Sequence, residues 1–232
     1  DANTTDDSKC RVGSIGGNSI GLRGDAHYFQ NGAGTNRVVI GTSGEIGVAG
    51  AGSISYGNAG QVLRSGGNSA GCKWVDQGIS DVDLWHLTSG FSGGVDPISS
   101  NLARFAGHNF HPLGSAMSVS SGNWTFPKTG IWLIECNRET YANHDDREIR
   151  VFIQCTDNNS SYSNRSENAN HIARAESQNT HNQTFASFVF DCVNTSTHKV
   201  RFRFTSNNNS TNTIGTANVA RTWFKFTRLG DT

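Results

Sequence analysis

A chain of 232 residues with 19 acidic and 19 basic side chains carries no net charge at neutral pH. That removes the basic field on which phosphate-backbone binding depends, and no apolar run approaches the roughly 20 residues needed to cross a bilayer, so neither nucleic acid nor membrane insertion is expected. The apolar fraction of 34% is low, which raises the expectation that part of the core lies between subunits.

All but six of the 27 glycines fall in the first 94 residues; the exceptions are Gly107, Gly114, Gly122, Gly130, Gly215 and Gly230. The composition changes within residues 76–84, after Trp74 and Val75, and divides the chain into regions 1–80 and 81–232. In the first region very short strands are predicted at Arg37–Ile40, Glu45–Val48, Ile54–Tyr56, Gln61–Arg64 and Cys72–Val75, separated by glycine turns. Strands this short bury too little surface alone to offset backbone ordering. They become stable if three copies wrap about one axis, which makes the region a trimeric stalk or attachment segment.

The second region carries longer strands, at Leu102–Phe105, Ala116–Val119, Asn123–Phe126, Ile131–Cys136, Ile149–Cys155, Thr184–Asp191, Val200–Thr205 and Thr222–Leu229. Trp124 and Phe126 alternate on one face, Pro127 to Gly130 supply a tight turn, and Ile131–Ile134 read as a strand covered on both faces. Val200, Phe202 and Phe204 alternate with Arg201 and Arg203, a half-buried strand. Phe224 and Phe226 repeat that pattern, with Trp223 and Leu229 on a second apolar face. The polar tracts Asp157–Gln183 and Ser206–Thr213 are predicted to be loops at an end of a sandwich. About eight antiparallel strands and no helical period make the region all-β.

The run Trp124-Thr-Phe126-Pro127-Lys-Thr129-Gly130-Ile131-Trp132 resembles the signature of the C1q/TNF-like jelly roll. That resemblance implies a fold that works as a trimer: a glycine-rich stalk followed by an antiparallel jelly-roll knob. Residues 56–75, with Gly60-Gln-Val-Leu63 and Lys73-Trp-Val75 at its two ends, resemble a glycine-rich module common in bacteriophage fibre proteins. From residue 85 onward, Gly122, Thr156-Asp157-Asn158, Lys199-Val200 and the ending Leu229-Gly230-Asp231-Thr232 extend the likeness to closing modules of marine, cyanophage-type virion proteins. The resemblance implies a virion structural protein, a fibre or spike appendage assembled in the host cytoplasm. Its N-terminal region would bind other virion proteins, and its distal knob would contact a host-surface polysaccharide or protein. The alternative is a capsid cement or decoration protein. The resemblance transfers no catalytic residues.

The residues themselves also argue against turnover. Gly17-Asn-Ser19-Ile-Gly21 and Gly67-Asn-Ser69-Ala-Gly71 satisfy G-x-S-x-G, but no helix follows to build a nucleophile elbow. Gly32-Ala-Gly34 lacks a third glycine at Arg37. His108 and His111 lie beside Pro112 in a loop, and His144-Asp145-Asp146 lacks the spacing of a calcium loop, so no metal or cofactor is expected. Arg23-Gly24-Asp25 reads as a chance match. Sparse acidic residues and the lack of a solenoid speak against a depolymerase. Met117, the single methionine, leads to the expectation of a processed chain or the tail of something longer. Cys10, Cys72, Cys136, Cys155 and Cys192 are odd in number and never in C-x-x-C spacing, which favours buried reduced thiols and folding in a reducing cytoplasm. The candidate binding residues are loop aromatics and charged groups able to stack on sugar rings and bond hydroxyls: Tyr141, His144, Asp145, Asp146, Tyr162 and Arg165.

Overall fold

A computed structural model describes residues 11–14, 20–23, 26–30, 35–49, 53–67, 71–76, 78–106 and 110–232. Every regular element among them is a β-strand, and the chain divides into two compact units, Asp1–Gln77 and Gly78–Thr232.

The first unit holds three small antiparallel pieces. β1 (Arg11–Ser14) pairs with β2 (Ile20–Arg23). β3 (His27–Gln30), β4 (Asn36–Ile40), β5 (Ile46–Ala49) and β6 (Ile54–Ser55) form a meander, and β7 (Gln61–Arg64) pairs with β8 (Lys73–Asp76). β4 to β8 match the five strands expected there. β1 to β3 were not foreseen. Gly47 lets β5 and β6 approach: a Cβ there would lie 2.4 Å from Ile54 Cγ2. Val39, Val48 and Val75 are buried, but Tyr28, Phe29, Ile46, Tyr56, Val62 and Leu63 stay exposed. One copy of this unit does not cover its own apolar side chains.

The second unit is a two-sheet sandwich. Its strands are β9 (Asp81–Leu87), β10 (Phe91–Ser92), β11 (Leu102–Arg104), β12 (Ser118–Ser120), β13 (Asn123–Thr125), β14 (Gly130–Ala142), β15 (Asp146–Thr156), β16 (Ser163–Ile172), β17 (Thr180–Cys192), β18 (Lys199–Ser206), β19 (Asn212–Thr213) and β20 (Trp223–Gly230). Sheet I runs β11-β9-β20-β14-β17, with the short β10 and β19 at one end of β14; sheet II runs β12-β13-β18-β15-β16. All pairings are antiparallel. Consecutive strands repeatedly change sheet, as in a jelly roll.

Period-two alternation fills the space between the sheets. Trp132, Ile134 and Cys136 point inward from β14, Phe224 and Phe226 from β20, and Val200, Phe202 and Phe204 from β18, all fully buried. Trp124 sits among them, edge-on to Trp85 at 4.9 Å and 5.0 Å from Phe226. The corner after Phe126 turns as expected from its Pro and Gly. Gly130 has φ 142°, and a Cβ there would strike Arg228 Nε at 2.4 Å.

Two expectations need correction. The tract Asp157–Gln183 is not one loop: it contains β16 and the start of β17. β16 is an edge strand with exposed residues on both faces, so no hydrophobic period marks it. Its Asn168 Nδ2 donates to Phe185 O and its Asn170 Nδ2 to Gln183 O, each at 2.8 Å, so side-chain amides join the edge of sheet II to β17 of sheet I. The second tract, Ser206–Thr213, is a loop that ends in β19 rather than a loop throughout. β9 was also missed, because Asp81 and Asp83 occupy core-facing positions. Asp83 accepts from Arg104 Nε, Trp85 Nε1 and Met117 N, each at 2.9 Å. Asp81 meets Lys128 Nζ at 3.1 Å and accepts from Ser115 N at 2.6 Å. Paired in this way, buried carboxylates are tolerated.

Candidate functional site

The six candidate binding residues do not form one cluster. Tyr141 lies near the end of β14, and His144, Asp145 and Asp146 follow in and after the turn to β15. Tyr162 and Arg165 flank the start of β16, at the opposite end of β15. Eleven residues of β15 at about 3.3 Å each separate these places by roughly 35 Å.

At the first end, Asp146 is almost wholly buried and serves the fold. Its carboxylate accepts from Glu148 N, Asn207 N, Asn208 N and Thr211 Oγ1, pinning the loop after β18 to the β14–β15 turn. His144 Nε2 lies 3.3 Å from Thr211 Oγ1, and Asp145 accepts from Arg174 N at 2.7 Å. Tyr141 faces outward and stacks on His181, with ring centroids 5.6 Å apart, beside a pocket of about 380 Å³ lined by Phe91, Ser92, Asn212 and Thr213. Among the described residues no group of three or more His, Cys, Asp or Glu is gathered to hold a metal. Ser19, Ser69, Gly24, Asp25, Gly32–Gly34, His108 and Cys10 lie outside the described residues.

At the second end the structure assembles a group that the loop-centred reading missed. Arg201 lies over the Tyr162 ring with Cζ 4.2 Å from the centroid, and its Nε donates to Gln154 Oε1 at 2.7 Å. Arg203 lies 5.0 Å over Phe152 in the same way. The register pairs Gln154 with Arg201 and Phe152 with Arg203, so both cations stand on the outward face of sheet II. The signal was present in the sequence as the arginines alternating with Val200, Phe202 and Phe204. Only the fold could bring Tyr162 beneath Arg201. Arg165, by contrast, is exposed on β16.

The outward face of sheet I is built differently. Val189, Leu133 and Thr227 form one cross-strand row; Phe185, Asn137, Trp223 and His86 form another. Between them Lys225 Nζ holds Glu135 Oε2 at 2.9 Å. Phe185 and Val189 are 40% and 52% exposed, and Leu229 is 41% exposed. One sheet therefore offers an apolar face studded with neutralised ion pairs, and the other a polar face with stacked guanidinium groups.

No protein-family model and no curated protein matches the chain. Solved structures do match the second unit's fold. Eiger TNF from S. frugiperda aligns at a TM-score of 0.52 with 11% identity, over 67% of this chain and 96% of that one. At such identity the likeness is one of fold: the chain carries a TNF-like antiparallel jelly roll. Murine APRIL aligns at 0.46 with 10% identity, over 64% of this chain and 98% of that one.

Proposed function

We propose that the chain is a trimeric structural protein that acts by assembly and binding, without turnover. The second unit self-associates through the outward face of sheet I, and the first unit serves as a glycine-rich stalk. The observation that carries this reading is the face formed by Val189, Leu133, Phe185, Trp223 and Leu229. Exposed apolar side chains gathered on one sheet face mark a contact site. Exposed Tyr28, Phe29 and Ile46 on the first unit have the same need for cover. The C1q/TNF-like resemblance implies three copies. The fibre-module resemblance of residues 56–75, and that of the knob, support a virion appendage whose N-terminal region binds other virion proteins and whose knob meets the host surface.

Light scattering on the 232-residue chain at micromolar concentration tests the assembly, with a mass of three chains expected. Replacing Phe185 and Val189 together with Glu puts charge on the contact face and should yield folded monomers. A monomer mass for the unaltered chain would sink the trimer, and a double variant that stays trimeric would move the interface elsewhere. Density for the chain in cryo-electron micrographs of intact particles tests the virion role; a chain absent from purified particles would end it.

A further inference from the structure

We propose that the outward face of sheet II binds an anionic polysaccharide, whose sulfate or carboxylate groups are held by the guanidinium groups of Arg201 and Arg203, with Lys199 extending the row. This deepens the binding role proposed above by naming the ligand class and moving the contact from loops to a sheet face.

β18 places Lys199, Arg201 and Arg203 outward while Val200, Phe202 and Phe204 are fully buried behind them. Successive outward positions on a strand are about 6.6 Å apart, so the three cations make a straight ladder. Both arginines are fixed before any ligand arrives. Their Cζ atoms lie over the rings of Tyr162 and Phe152, and Gln154 Oε1 accepts a hydrogen bond from Arg201 Nε while Gln154 Nε2 donates to Asn164 at 2.8 Å. A guanidinium held in this way loses little freedom on binding and presents its Nη edge as a planar fork matched to an oxyanion.

Among the described residues the Nη atoms of Arg201 and Arg203 make no hydrogen bond, and the two guanidinium groups share a single carboxylate, Asp96, as ion-pair partner, 3.9 Å from Arg201 Nη2 and 3.4 Å from Arg203 Nε. Lys199 has neutral partners, Thr125 Oγ1 and Thr195 O. Farther along the same sheet, Arg150 is paired with Glu148 and Glu167.

The surroundings select the occupant. The faces of Tyr162 and Phe152 are already covered by guanidinium groups, so they are not free for nucleobase stacking. The ladder lies on a sheet face, which fits a polymer lying across several strands. A chain of sugars with spaced anionic groups meets these conditions.

The test uses the full chain with dextran sulfate and unsulfated dextran as probes, read by isothermal titration. Dextran sulfate should bind, with affinity falling as salt rises, and dextran should not. Arg201→Gln with Arg203→Gln should weaken binding by about a hundredfold, the loss of two charge-assisted contacts. Arg201→Lys with Arg203→Lys keeps the charge and the stems but removes the forks; it should fall between, and it serves if the Gln pair fails to fold. Circular dichroism melting and light scattering confirm the fold of each variant. Unchanged affinity in a folded Gln or Lys pair, equal binding of plain dextran, or stronger binding of single-stranded DNA would overturn the proposal. An unaltered chain that is monomeric yet binds dextran sulfate through Arg201 and Arg203 would remove the trimer and leave this site standing.

Discussion

Arg138 is the perturbation whose cost the structure defines best. Its side chain has no exposed surface, yet it projects from β14 into the space between the sheets. Nη1 donates to Thr205 O at 2.6 Å and Arg150 O at 3.2 Å, Nη2 to Ser206 Oγ at 2.8 Å and Gly93 O at 3.3 Å, and Nε to Thr213 Oγ1 at 3.0 Å. Its Cζ lies 4.9 Å from the centroid of the Phe204 ring. Burial lowers its pKa to about 10, opposed by the nearby Asp146 charge, so the group is still charged at neutral pH. Arg138→Met keeps much of the volume but leaves three carbonyls and two hydroxyls without their donor, and Asp146 without its nearby cation. Each stranded buried group costs about 1–3 kcal/mol, and relaxation of the hydroxyls and entry of water offset part of that sum. Removing one member of a buried charged network typically costs about 3–5 kcal/mol. For a unit of this size each kcal/mol lowers Tm by about 2–4 °C, so the variant should melt roughly 6–20 °C earlier. Ser206→Ala, which removes one acceptor, should cost only about 1 kcal/mol. Urea titration followed by tryptophan fluorescence measures both. An Arg138→Met variant within about 1 kcal/mol of the unaltered chain would refute the view that this network holds the end of the sandwich together.

Thiol chemistry gives a second expectation. Iodoacetamide followed by peptide mass mapping should label exposed Cys72 in the native chain and spare buried Cys136, Cys155 and Cys192 until the protein is denatured. The buried thiols also predict alkaline sensitivity. Desolvation pushes Cys155 up to about 12 and Cys192 up to about 11, so both stay protonated when folded but ionise near 9 when unfolded. Their contribution is full below pH 9 and is lost as pH rises toward 11–12, at up to about 1.4 kcal/mol per pH unit per thiol; urea midpoints across that range should fall, and Cys155→Ala should flatten the decline. Asn168→Ala with Asn170→Ala should raise amide exchange in β16 and β17 while leaving β14 and β20 protected, at a cost of about 1 kcal/mol per lost bond. Unchanged exchange in the double variant would show that the two edges are held by something else.

The parts legible in the sequence were those governed by one local rule. Alternating aromatics gave β13, β18 and β20 nearly to the residue, and Pro127 with Gly130 gave the corner. β9 and β16 escaped because their side chains answer to distant partners: Asp83 needs Arg104 and the Met117 amide, and the β16 asparagines need β17. The low apolar fraction pointed to a core completed by neighbours. The second unit instead closes its own core around Trp124, and the uncovered apolar side chains lie on the first unit and on the outer face of sheet I. Loop composition suggested a turn and a long loop at one end of the sandwich, but nothing local reveals that residues 144 and 162 sit beyond opposite ends of the same strand. Arg201 and Arg203 were visible as the polar half of an alternation, and their function depends on rings supplied by other strands.

The amides of Asn168 and Asn170 have a consequence for how copies of this protein avoid the wrong contacts. A β-sandwich has open rims, and a rim with vacant carbonyls is a template on which a stranger's strand can grow. On β17 two successive rim carbonyls, Phe185 and Gln183, are already occupied from within the same chain. Growth by strand addition is blocked there at the cost of two asparagines and no extra backbone. Copies that meet are then directed away from this rim and toward broad surfaces, where side-chain shape decides the match.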